Sequence, residues 1–213
     1  MARYSELLLA VSSVWAVGAL AFQARAARAG LPGLHAPAAG AASRGILYGF
    51  TGAMLPSRKE SVSRHPLSFA AGVLLHLGIA ASFLSVLASM LVAPAAFPAG
   101  GVALAAAAGT GLAAGLFLLA KRFASPDLRT ISPPDDYVAN LAIGALLASA
   151  VAFWSGALPG AALRIVAALV LFYVPLGKLR HAVFFFLARA DLSARLGLRG
   201  VYPPRGGGDV QRS

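Results

Sequence analysis

An all-α integral membrane protein, with five transmembrane helices in a bundle, its N-terminus outside and its C-terminus cytoplasmic, is the fold this sequence predicts. Three observations predict it. Mean hydropathy is +0.77, and only 12% of the 213 residues are charged, about half the share in an ordinary globular domain. The apolar residues gather in runs that suit membrane spans of about 20 residues. The cations fall almost wholly in alternate connections between those runs.

The runs are Ser5–Phe22, Pro66–Ala93, Gly100–Ala120, Tyr137–Trp154 and Ala161–Tyr173. Ala19-Leu20-Ala21 resembles a small-residue cleavage site, but an uncleaved first span fits better. The fifth run is predicted to continue as a helix through Phe184-Phe185-Phe186. Proline, glycine and serine punctuate the joins, as in Pro94-Ala95-Ala96-Phe97-Pro98 and Ser132-Pro133-Pro134.

Five spans sort the connections into two sets. The segments 23–65 and 121–136 and the tail from Lys178 hold sixteen Lys and Arg residues; the opposite set holds only Arg3 and Arg164. This is a positive-inside bias, and it puts the C-terminus in the cytoplasm. The net charge of +11 is therefore assigned to membrane orientation and not to nucleic-acid binding. The predicted organisation is a membrane domain over 1–190, with a cytoplasmic loop 23–65, and a cytoplasmic tail over 191–213. Within that tail, Pro203-Pro204-Arg205-Gly206-Gly207-Gly208 reads as an irregular segment.

The chain has no cysteine. It therefore cannot hold a thiolate-ligated iron–sulfur cluster, a covalently attached c-type haem or a disulfide of its own. Its chemistry rests on histidine. His76 stands in Val73-Leu74-Leu75-His76-Leu77-Gly78, and His181 follows the apolar stretch that ends at Tyr173 through Val174–Arg180. Ionisable residues at such positions need a reason to be there. Two neutral imidazoles from different helices form an axial pair for a low-spin haem iron. The competing reading is a histidine hydrogen-bonded to a backbone carbonyl or a hydroxyl on a neighbouring helix. Ten residues separate His76 from the start of its run at Pro66, about 15 Å of helix. The depths of the two histidines match only if the Pro66 end rises above the membrane plane.

His65, between Arg64 and Pro66, reads as an interfacial residue, with haem or quinone contact as the other possibility; His35 lies in a Gly/Pro/Ala-rich loop. Asp135, Asp136 and Tyr137 read as the start of the fourth helix, where acidic residues suit the helix dipole, with a proton-relay role as the other possibility. Gly72, Gly78 and Gly144 permit close approach of helices or of a porphyrin.

Three stretches carry a family resemblance. The first is Gly52-Ala53-Met54-Leu55-Pro56-Ser57-Arg58-Lys59-Glu60, leading into Gly72–Ile79 around His76. The second runs Leu119–Arg129, then Ser132-Pro133-Pro134-Asp135-Asp136-Tyr137. The third is Pro175-Leu176-Gly177-Lys178-Leu179-Arg180-His181, with Gly197–Pro203 behind it. On these the chain resembles the membrane cytochrome b subunits related to the gamma subunit of respiratory nitrate reductase. That group includes the membrane cytochromes that accompany heterodisulfide-reductase-like iron–sulfur subunits.

The resemblance implies haem b as cofactor, a membrane quinone (menaquinone) as redox partner, and cytoplasmic iron–sulfur subunits, in the bacterial inner membrane. It implies His76 and His181 as ligands of the cytoplasm-side haem. Lys121, Arg122 and Arg180 are then placed to pair with its propionates, although each also reads as an ordinary helix-end anchor. The family's second pair of ligands would fall on Val86 and Leu163, which cannot bind iron. One bis-His haem is therefore expected, and not two. The alternative is a haem-free structural anchor of a larger membrane complex. Few intramembrane charges and no inverted repeat weigh against a transporter.

Overall fold

The computed structural model describes residues 2–29 and 37–204. His35 and the tail from Arg205 onward lie outside the described residues. Those residues are helical, with no strand among them: α1 (Ala2–Ala29), α2 (Ala42–Phe50), α3 (Glu60–Arg64), α4 (Pro66–Leu91), α5 (Pro98–Ala124), α6 (Pro126–Thr130), α7 (Pro134–Trp154), α8 (Gly160–Tyr173) and α9 (His181–Leu198). Among the described residues, four segments are long and apolar enough to cross a membrane: Arg3–Ala29, Pro66–Leu91, Pro98–Ala124 and Pro134–Trp154. The chain is a multi-pass membrane protein. A fifth span requires the interrupted pair Gly160–Tyr173 and Lys178–Leu198 to be counted as one. Alone, the 14 residues of α8 rise only about 21 Å, against a hydrocarbon core of about 30 Å.

The expected continuous helix from the fifth run through Phe184–Phe186 is not formed. The backbone leaves helix at Val174 and resumes as a single 3₁₀ turn at Lys178–Arg180 before α9. Pro175 has no N–H to donate, and its ring crowds the preceding turn. Gly177 lies against the ring of Tyr173, in space a Cβ would need. The expected boundary at residue 190 falls inside α9, and much of the expected loop 23–65 is helical. By packing, the chain divides into two compact units, one of residues 1–20 and 66–180, the other of residues 21–65 and 181–213.

In the first unit α4, α5, α7 and α8 pack about a core that includes Val86, Ala108, Ile143, Leu146, Leu147, Phe153, Leu163 and Val170. Without a hydrophobic force between helices in lipid, small residues and polar contacts set the crossings. A Cβ on Gly78 would lie 2.7 Å from the Cα of Gly111, so α4 and α5 meet backbone to backbone. Ser82 and Ser85, both buried, return their hydroxyls to the carbonyls of Gly78 and Ala81. Trp154 Nε1 of α7 donates to Ser85 Oγ at 2.8 Å. The middle of α1 is held to α8, where Trp15 Nε1 donates to Phe172 O at 3.0 Å and the two rings stack.

The second unit rests on α2 against α9. Gly45 and Gly49 face Ser193 and Gly197, and a Cβ on Gly45 would lie 2.6 Å from the Cα of Gly197. This is a small-xxx-small contact on both helices. Arg189 Nε donates to Gly49 O at 2.6 Å, and Phe50 stacks on Phe186.

Candidate functional site

His76 belongs to the first unit, on the face of α4 away from the buried Ala71, Gly78, Ala81, Ser82, Ser85 and Val86. Its side chain is exposed, and Nδ1–H donates to the carbonyl of Gly72 at 2.7 Å. A carbonyl can only accept, so this bond fixes the proton of the neutral ring on Nδ1 and leaves Nε2 with the lone pair. A histidine oriented in this way by a backbone carbonyl has the tautomer of a metal ligand.

The surroundings of His76 fit a bulky planar group. One helical turn to either side stand the small residues Gly72 and Ala80. Among the described residues nothing packs within 4 Å of the position a Cβ on Gly72 would take. His181 opens α9 in the second unit and is also exposed. Each imidazole is thus described within its own unit. His65 is exposed, between α3 and α4.

The positions the resemblance assigns to a second ligand pair are both apolar core. Val86 is 3% exposed and Leu163 is fully buried, in one cluster with Leu146, Leu147 and Phe153.

The three candidate propionate partners have different environments. Lys121 Nζ donates to Ser68 Oγ at 2.5 Å, joining the C-terminal end of α5 to the first turn of α4. Arg122 Nη1 lies 3.7 Å from Asp136 Oδ2, with its guanidinium over the ring of Tyr137. Arg180 closes the 3₁₀ turn before α9 and is exposed.

Asp136 does more than begin a helix. It lies in the first turn of α7 but is buried, and the N-cap position, Pro133, makes no side-chain cap bond. Its carboxylate pairs with Lys178 Nζ as well as with Arg122. Tyr173 donates its hydroxyl to the neighbouring Asp135 carboxylate. Five residues from three parts of the chain thus form a polar cluster at the Pro134 end of α7. The sequence signal for it was the adjacent acidic pair, which the helix-start reading absorbed.

Arg164 is the second polar node, and counting it only as an orientation charge missed it. It is buried on α8; Nε donates to Ser5 Oγ at 3.1 Å and Nη1 to Ser89 O at 2.8 Å. Glu6 Oε1 lies 4.0 Å from Nη2. A guanidinium suits this task because its fork reaches α1 and α4 at once.

Asn140 was not singled out either. On α7, it lines an apolar cleft with Leu75, Leu112, Leu116, Leu141 and Gly144. A lone amide in an apolar run was its only signal. Compared with models of known protein families, with curated proteins and with solved structures, the chain matches none.

Proposed function

We propose that the chain is the haem b membrane subunit of a respiratory electron-transfer complex. It binds one haem through His76 and His181, and links a membrane quinone, expected to be menaquinone, to iron–sulfur subunits on the cytoplasmic side. The proposed setting is the bacterial inner membrane, with the N-terminus outside. Bound haem supplies a one-electron iron couple; the chain supplies ligation, burial and charge.

The observation that carries this reading is the His76 Nδ1–H bond to Gly72 O, which commits Nε2 to accepting. Such a bond within one helix fixes the orientation of the ring from its own backbone. Lys121, Arg122 and Arg180 are the proposed partners of the propionates, Arg122 sharing its charge with Asp136. Burial of Val86 and Leu163 in the core supports one haem over two.

The test is a dithionite-reduced minus oxidised spectrum of the purified subunit, with a pyridine haemochrome assay of haem per chain. One haem b is expected, lost in His76→Ala and in His181→Ala. Because His76 is exposed, its replacement leaves the fold intact by circular dichroism. Full haem in either variant sinks the assignment. A folded chain without haem returns it to the structural-anchor reading.

A further inference from the structure

In the first unit, α4, α5 and α7 leave a cleft of about 250 Å³ lined by Leu75, Leu112, Leu116, Leu141, Gly144 and Asn140. Asn140 supplies its polar side chain. Nδ2 donates to the carbonyl of Gly115 at 3.4 Å, at the long limit for a hydrogen bond. Among the described residues, Oδ1 and the second N–H make no hydrogen bond. Asn140 stands six residues into α7, within a segment apolar enough to cross a membrane. An amide there finds little water, and leaving its groups unmatched is costly.

We infer that this cleft is the binding site for a quinone headgroup, with the Asn140 amide as its polar contact. The inference rests on the reading of the chain as a quinone-linked cytochrome. Three features select this ligand class. The cavity is smaller than the roughly 300–1,000 Å³ that encloses a whole drug-sized ligand, so it takes one ring system and leaves a long tail in the lipid. Its walls are leucine and small residues, suited to a flat apolar body. The free groups of the amide are one donor and one acceptor. A quinone carbonyl accepts from the N–H and a quinol hydroxyl donates to Oδ1, so one neutral side chain serves both redox forms. Leu75 of the lining precedes His76 in the chain, which sets the site beside the proposed haem ligand on α4.

The test is photoaffinity labelling of the full-length subunit in detergent with an azido-naphthoquinone, competed by 2-methyl-1,4-naphthoquinone and mapped by mass spectrometry. Haem per chain is measured on the same samples. Label saturates and maps to Pro66–Leu91, Pro98–Ala124 or Pro134–Trp154, the three helices that line the cleft. Asn140→Leu weakens competition about tenfold, the effect of losing one good hydrogen bond in a desolvated site. Gly144→Ala is the second variant: its Cβ would sit 3.9 Å from Leu112 Cδ1, an ordinary contact, so the fold holds while the cleft narrows and competition weakens.

Unsaturable label, as a cleft holding only lipid acyl chains would give, overturns the inference. So does label mapped elsewhere, or competition unchanged in both variants. Haem without specific label removes the site and leaves the cytochrome reading standing. Specific, variant-sensitive label without haem does the reverse.

Discussion

Gly78 of α4 and Gly111 of α5 touch through their backbones, each Cα lying where the other's Cβ would need to be, at 2.7 and 2.8 Å. The two longest apolar helices of the first unit cross at this point, and neither residue can grow without moving a helix. Gly78→Ala forces the carbonyl of Ala107, 2.9 Å from the new Cβ, to shift as well. A loss of about 1–3 kcal/mol is expected, the usual cost of overpacking, read as a lowered unfolding midpoint in detergent. A midpoint equal to that of the native chain would show that the crossing is looser than described.

Asp136 is a buried carboxylate with Lys178 and Arg122 on it. Removing the carboxylate leaves two cations facing one another. Asp136→Ala should cost roughly 1–3 kcal/mol, below the range for fully buried pairs because Lys178 is half exposed. A double-mutant cycle of Asp136→Asn with Lys178→Gln is expected to give a coupling above about 0.5 kcal/mol. Strict additivity would assign the stability of this end of α7 to other contacts.

Gly72 accepts the His76 proton and is open toward its Cβ side. Gly72→Leu therefore separates fold from cofactor. Stability should change by less than about 0.5 kcal/mol, as at an unconstrained surface position, while haem per chain falls because the new side chain occupies space beside the imidazole. Unchanged haem in this variant would place the porphyrin on another side of His76.

Much of the membrane architecture was legible in the sequence because a hydrocarbon solvent leaves few choices. Pro66, Pro98, Pro126 and Pro134 each begin a helix at its first turn, where a missing N–H costs nothing. The second, third and fourth spans lie within a few residues of the predicted runs. The break after Tyr173 was underread: Pro175 and Gly177 are both helix-ending residues, but the apolar run on either side of them argued for continuity. The polar nodes were hidden for a different reason. Asp136, Arg164 and Asn140 take their meaning from partners far along the chain, Lys178, Ser5 and Gly115 among them. Helical periodicity reports which residues share a face and is silent about which faces meet. His76 stood out because an imidazole in an apolar run is anomalous by itself, whereas an aspartate beside a helix start is ordinary.

The packing of Val86 and Leu163 into one apolar core has a bioenergetic consequence for the proposed complex. With leucine, valine and phenylalanine filling the positions where a second carrier would be ligated, an electron in that proposed complex would find no relay on this core toward the far leaflet. Electron exchange with the quinone pool, in either direction, would then stay on one side of the low-dielectric barrier. Moving an elementary charge across a membrane is worth about 2.3 kcal/mol per 100 mV, and a redox step confined to one leaflet does not draw on that energy or store it. Proteoliposomes carrying such a complex would turn over at the same rate with or without an ionophore that collapses the transmembrane voltage.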